Sequence, residues 1–141
     1  MVRDAVGLEI LTRDECLRLL TKAPVGRIAV TERGLPVIHP VNYVLDGDHI
    51  VFRTSAANKL AAATRDAIVA FEVDEFDAQR HTGWSVMVTG RASAVTDADK
   101  LNRLRDLPLT SWAPNRPQHF VEISLDIVTG RRVPVPDGLS G

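Results

Sequence analysis

The chain has one cysteine, Cys16, in 141 residues, which excludes an intrachain disulfide framework. It sits in Asp14-Glu15-Cys16-Leu17-Arg18-Leu19-Leu20, among apolar neighbours at helical spacing, and reads as a buried inert thiol rather than a nucleophile. Four histidines, His39, His49, His81 and His119, are scattered without metal-ligand spacing, so no metal site is expected. Neither Gly-x-Gly-x-x-Gly nor a Walker loop is present, which removes the Rossmann and P-loop nucleotide sites. No apolar run approaches the roughly 18 residues that cross a bilayer, and Asp4 and Glu9 interrupt any signal-peptide core. Aromatic residues are only 5%, and a net charge of −1 leaves no excess for nucleic acid or an anionic membrane. A cytoplasmic protein without membrane or nucleic-acid partners is the expectation.

Hydrophobic residues at 45% and charged residues at 25% describe an ordinary globular chain. One domain over 1–141 is expected, with its core about 12–130 and a tail, 131–141, in which Pro134, Pro136, Gly138 and Gly141 favour fraying. Thr12-Arg13-Asp14-Glu15 is a capping box opening a helix to about Lys22, stopped by Pro24. Strands are predicted at Val25 to Thr31, Pro36 to Leu45 and His49 to Thr54, with Asp46-Gly47 as a hairpin turn. Further strands are predicted at Ile68 to Val73, Trp84 to Val95 and His119 to Val128, and Gly90 marks a bulge or close backbone approach. In the last strand Val121, Ile123, Leu125 and Ile127 fall on one face, with Phe120 on the other. A further helix runs from Asp97 to about Leu107. The connections are too short for a doubly wound parallel sheet. The pattern therefore predicts a mainly β protein with short helices: a six-stranded antiparallel barrel with helices at its ends.

Ile50 to Leu60, Ile-Val-Phe-Arg-Thr-Ser-Ala-Ala-Asn-Lys-Leu, carries the functional signal. It reads as a strand turning into a helix at Ala56 to Thr64, with Ser55 as N-cap, Asn58 at the third helical position and Lys59 in the first turn. Free helix N–H groups, two hydroxyls, Arg53 and Lys59 in one region suit a bound phosphate. A solvated turn with both cations facing water is the alternative.

The order of these elements, and the residues within them, resemble the FMN-binding split-barrel family. This is the pyridoxamine 5'-phosphate oxidase-like group, including its small bacterial members related to nitroimidazole-resistance proteins. The matching stretches are Val25-Gly26-Arg27-Ile28-Ala29-Val30, Pro36-Val37-Ile38-His39-Pro40-Val41-Asn42-Tyr43 and Ile50 to Leu60. Val69-Ala70-Phe71-Glu72-Val73-Asp74 and Gly83-Trp84-Ser85-Val86-Met87-Val88-Thr89-Gly90-Arg91-Ala92 complete them, over roughly residues 12 to 105.

The resemblance implies an FMN cofactor, with Arg53, Thr54, Ser55, Asn58, Lys59 and Leu60 around its phosphate. It places His39, Pro40, Val41 and Asn42 beside the isoalloxazine ring, where backbone groups meet N5 and the pyrimidine edge. Trp84, Ser85 and Val86 correspond to a strand contributed by the second subunit of a homodimer. Trp112 either reaches the partner's flavin or covers the barrel mouth. His39 or Tyr43 is a candidate proton donor, against the plainer reading of His39 as an edge-strand histidine. The implied activity is an FMN-dependent oxidoreductase acting on a small acceptor. Oxidation of pyridoxamine phosphate itself is not expected, because the ending Gly130-Arg131-Arg132-Val133-Pro134 lacks the Arg- and Trp-containing segment of those oxidases. The alternatives are a deazaflavin-dependent reductase, or a non-enzymatic flavin- or haem-binding module with His39 or His119 as axial ligand.

Overall fold

The computed structural model describes residues 1–55, 58–107, 109 and 118–134. Its strands are β1 (Glu9–Ile10), β2 (Val25–Glu32), β3 (Leu35–Asp46), β4 (His49–Ser55), β5 (Ala67–Asp77), β6 (Thr82–Ala94), β7 (Gln118–Ser124) and β8 (Ile127–Arg132). Its helices are α1 (Arg13–Leu20), α2 (Lys59–Ala63) and α3 (Ala98–Arg105). No described helix is long and apolar enough to cross a membrane.

Six strands form a ring in the order β6-β5-β2-β3-β4-β7, and β7 closes it by returning to β6. These are the six expected strands. The sequence did not separate β8 from β7: the chain bends at Leu125–Asp126, and β8 pairs with the first half of β6 while carrying β1 on its far edge. β6 thus serves two partners, β8 through Thr89↔Ile127 and β7 from Ala92↔Ile123. Gly90 lies at that changeover. A Cβ added there would stand 1.8 Å from the Ser124 carbonyl oxygen, so only glycine lets the two backbones pass. Arg131 and Arg132, read as the start of the tail, lie in β8; residues 135–141 are outside the described residues.

The inward face of the ring buries Ile28, Phe52, Phe71, Val88 and Ile123 completely. α1 closes one end with Cys16, Leu19 and Leu20. Its capping box forms as expected: Thr12 Oγ1 accepts from the Glu15 N–H at 3.2 Å, and the Thr12 N–H donates to Glu15 Oε1 at 3.1 Å. Tyr43 is buried and donates its hydroxyl to the Leu20 carbonyl at 2.6 Å, satisfying an orphan acceptor at the end of α1. Its ring meets Phe71 edge-on, centroids 4.9 Å apart. Burial pushes the Tyr43 phenol up to about 12. A second apolar cluster, Val51, Val95, Leu104, Leu109 and Phe120, lies outside the ring beneath α3. That cluster is why Phe120 is buried, although strand alternation put it on the polar side.

On the outer face Arg27 on β2 sits 3.5 Å from both Glu72 and Asp74 of β5. Burial, then hydrogen bonding and repulsion from Asp74, pushes the Glu72 carboxyl up to about 7 from 4.5, against the opposing pull of Arg27. Between those values the folded chain holds a proton that the unfolded chain releases. Stability therefore falls as pH rises through that window, and the loss is complete above the folded-state value.

Two outcomes are expected. Gly90→Ala destabilises by about 1–3 kcal/mol or more through overpacking, measured by urea denaturation; wild-type stability would remove the close-approach argument. Glu72→Gln raises the melting temperature above neutrality but not in mild acid, and equal shifts in both conditions would contradict the assignment.

Candidate functional site

The ring is not laddered evenly. β3 and β4 pair only from Asp46↔His49 to Tyr43↔Phe52. Beyond that point β3 stays with β2 through Asn42↔Val25, Val41↔Gly26 and Pro40↔Arg27, while β4 runs on with β7 through Arg53↔Phe120, Thr54↔His119 and Ser55↔Gln118. A seam opens, with residues 40–42 on one edge and 53–55 on the other. Proline explains one side of it. The β2–β3 ladder runs unbroken past both Pro36 and Pro40. A proline is tolerated in a ladder where its missing donor faces away from the partner. The missing donors therefore fall on the β4 side, where no continuous ladder could form.

The structure thus brings His39, Pro40, Val41 and Asn42 opposite Arg53, Thr54 and Ser55, which share no obvious sequence link. Alternation sends Val41 into the core at 5% exposure and leaves His39 and Asn42 half-buried, with Pro40 exposed. His39 Nε2 is hydrogen-bonded to Glu32 Oε1 at 2.6 Å. Glu32 is the residue sequence reasoning missed; its position beside His39 needs the β2–β3 register to be seen.

Across the seam, Thr54 and Ser55 are buried hydroxyls. Arg53 donates from Nη1 to the Leu109 carbonyl at 3.2 Å and lays its guanidinium over Phe120, 5.4 Å from the ring centroid. Its Nε is buried and has no acceptor among the described residues. No carboxylate accompanies this half-buried cation among the described residues, and the neighbouring stretch 110–117 contains no Asp or Glu in its sequence.

The helix after β4 differs from expectation. α2 is five residues long and its N-cap is Asn58, whose Oδ1 accepts the Leu60 N–H at 3.0 Å. Ser55 is still in the sheet, opposite Gln118, so it does not cap. With Asn58 taking a helix N–H, a set of free amides at this end is not what the site offers. Leu60 is core, at 3% exposure. Lys59 is exposed and lines a groove of about 500 Å³ between α2 and the β2–β3 hairpin, shared with Glu32, Arg33, Leu35 and Val37. Arg53 and Lys59 therefore have different described neighbours.

Trp84, Ser85 and Val86 are on β6, separated from β3 in the ring by β5 and β2. Val86 is fully buried, and Trp84 lines a cavity of about 520 Å³ with Phe76 and Arg132. Within the chain these three do not join the seam. Trp112 falls outside the described residues. Tyr43, engaged with Leu20 inside the barrel, is structural and not a proton donor to the seam.

Comparison with known proteins bears on this geometry. A family model described as pyridoxamine 5'-phosphate oxidase matches residues 12–132. An uncharacterized protein of Mycobacterium tuberculosis, Rv0080, is 38% identical over 128 residues, covering 87% of this chain and 84% of the relative. The solved FAD binding protein from Mycobacterium smegmatis is 34% identical with a TM-score of 0.78, covering 89% of this chain and all (100%) of that one. A FAD-binding protein from Mesorhizobium loti is 25% identical, with a TM-score of 0.74 over 90% of this chain and 99% of that one. The matched span takes in every strand of the ring and both edges of the seam, and the chain belongs to the pyridoxamine 5'-phosphate oxidase family.

Proposed function

We propose that the chain is a flavin-dependent oxidoreductase holding the FMN moiety of its cofactor at the seam between β3 and β4. The observation that carries this reading is Arg53: a half-buried guanidinium with a buried, acceptorless Nε and no carboxylate among the described residues. Burying an unpaired cation is costly, and a phosphate arriving at that place relieves the cost. The flavin-binding relatives support it, since two of them share this fold at 34% and 25% identity.

A bound flavin supplies hydride or electron transfer through N5. The chain's own residues bind and orient. Arg53, with the Thr54 and Ser55 hydroxyls and Lys59 beyond them, neutralises the phosphate. The β3 edge from Pro40 to Asn42, beyond the last β3–β4 pair, lies alongside the flavin ring. His39, fixed through Nε2 on Glu32, keeps Nδ1 as the nitrogen able to hold a proton for a small acceptor.

A homodimer completes the proposal. Register aligns Ile38, Ala29, Ala70, Thr89 and Ile127 across five strands of the outer face. Ile38 and Ile127 are 67% and 59% exposed there. A second copy covering this row would remove the apolar surface from water and bring a partner's β6 toward the seam.

The purified protein should bind FMN with its visible absorption bands. Arg53→Ala should weaken binding by about 1.5–3 kcal/mol, roughly ten- to a hundred-fold in Kd, and Arg53→Lys by less. Unchanged affinity in Arg53→Ala, with the fold intact by circular dichroism, would move the phosphate elsewhere. Loss of His39 is expected to slow turnover of added acceptors without changing flavin affinity, read by steady-state kinetics beside the titration.

A further inference from the structure

We propose that the outer face of the ring is a pH-gated contact between two copies of this chain, closed while Glu72 and Asp74 share one negative charge and loosened when each carries its own. The inference rests on the homodimer proposed above and names its regulation.

The geometry comes from register. Arg27 stands opposite Pro40 of β3 on one side and Glu72 of β5 on the other, and Glu72 stands opposite Met87 of β6, which meets Thr129 of β8. On every strand this row lies two residues from the row of Ile38 and Ile127, so charged and apolar residues share one face. Arg27, Glu72 and Asp74 meet Ile38, Ala70 and Met87 around a hollow of about 350 Å³. A copy related by a two-fold axis presents the same patch to itself. A patch holding apolar residues and charges of both signs is complementary to its own copy, whereas one of a single sign repels it. Arg27 uses only Nη1, 3.5 Å from each carboxylate, which leaves Nε and Nη2 for an acceptor across the contact.

The charge balance of the face turns on one proton. With Glu72 protonated, Arg27 offsets Asp74 and the patch is neutral; with Glu72 ionised, each copy carries one uncompensated negative charge. The two-fold axis then sets two such charges in one contact, and burying them is costly. The groups that face Glu72 are Asp74 on its own strand and Arg27 from β2; Met87, from β6, is uncharged. No histidine faces this row: His39 and His49 are paired with Glu32 and Asp48, His81 is in the β5–β6 turn and His119 is on β7. Burial, then Asp74, already pushes the Glu72 carboxyl up to about 7 in the single copy, which puts the change of charge near neutrality. Above that value the contact holds a proton on each copy that the separated copies release, so association weakens as pH rises.

The experiment is sedimentation velocity of the full-length chain over a dilution series at pH 6 and at pH 8.5. Wild type should be dimeric at pH 6, with a dissociation constant roughly tenfold or more higher at pH 8.5. Glu72→Gln, neutral throughout, should dimerise alike at both pH values. Asp74→Asn should do the same, because Arg27 then offsets Glu72. Equal wild-type dissociation constants at the two pH values would overturn the proposal and leave the homodimer standing. So would a pH dependence that survives unchanged in Glu72→Gln. A monomer at both pH values would overturn the homodimer and this inference with it.

Discussion

Proline at position 40 is the constraint on which the rest of the molecule depends. A ladder between β3 and β4 could have continued past Tyr43↔Phe52, since both strands extend well beyond that pair. It does not, because Pro40 keeps β2 as its partner and has no donor for a strand on its other side. β4 is paired with β7 along its whole length, from His49↔Ser124 to Ser55↔Gln118, so its last three residues continue past the end of the β3–β4 ladder, and the ring closes where β7 meets β6. Gly90 performs the complementary task on the far side: it lets one long strand divide between two partners without a collision at Ser124. One residue opens the barrel, and the other allows it to close.

The opening acquires its chemistry from the faces of β4. Alternation sends Phe52 into the barrel and Arg53 outward, beneath the segment that holds Leu109 and over the ring of Phe120. The aromatic face and one carbonyl offset part of the desolvation of the guanidinium, but neither carries a formal charge. An arginine in such surroundings differs from the surface arginines of the same chain. Arg27 and Arg103, for example, each meet a carboxylate. The contrast lies in the partner and not in the residue type.

Much of the fold was legible in the sequence because local chemistry and tertiary structure agree there. The Thr12–Glu15 capping box and the hairpin signal at Asp46-Gly47 each point to the element found, although the two-residue loop is Gly47-Asp48 and Asp46 is still paired with His49. The division of β7 from β8 was not legible. Apolar alternation continues through Leu125 and Ile127 across the bend, although Leu125 is buried and Ile127 exposed. Phe120 does lie on the face opposite Val121 and Ile123, as alternation predicts; that α3 and Leu109 bury this outer face is what periodicity does not register. Asn58 and Ser55 are equally good caps in isolation; pairing with Gln118 holds Ser55 in the sheet, so Asn58 caps α2. The basic residues near the site were visible from composition alone. Their separate surroundings, and the pairing of Glu32 with His39, depend on register.

The central claim is that a flavin occupies the seam, contacting both of its edges. Amide hydrogen exchange with and without FAD tests it most directly, because backbone protection reports on each edge independently of catalysis. The account predicts added protection at residues 39, 41 and 42 of β3 and 53–55 of β4 together. Protection confined to the β5–β6 hairpin tip, around Phe76 and Trp84, or to one edge of the seam alone, would contradict it.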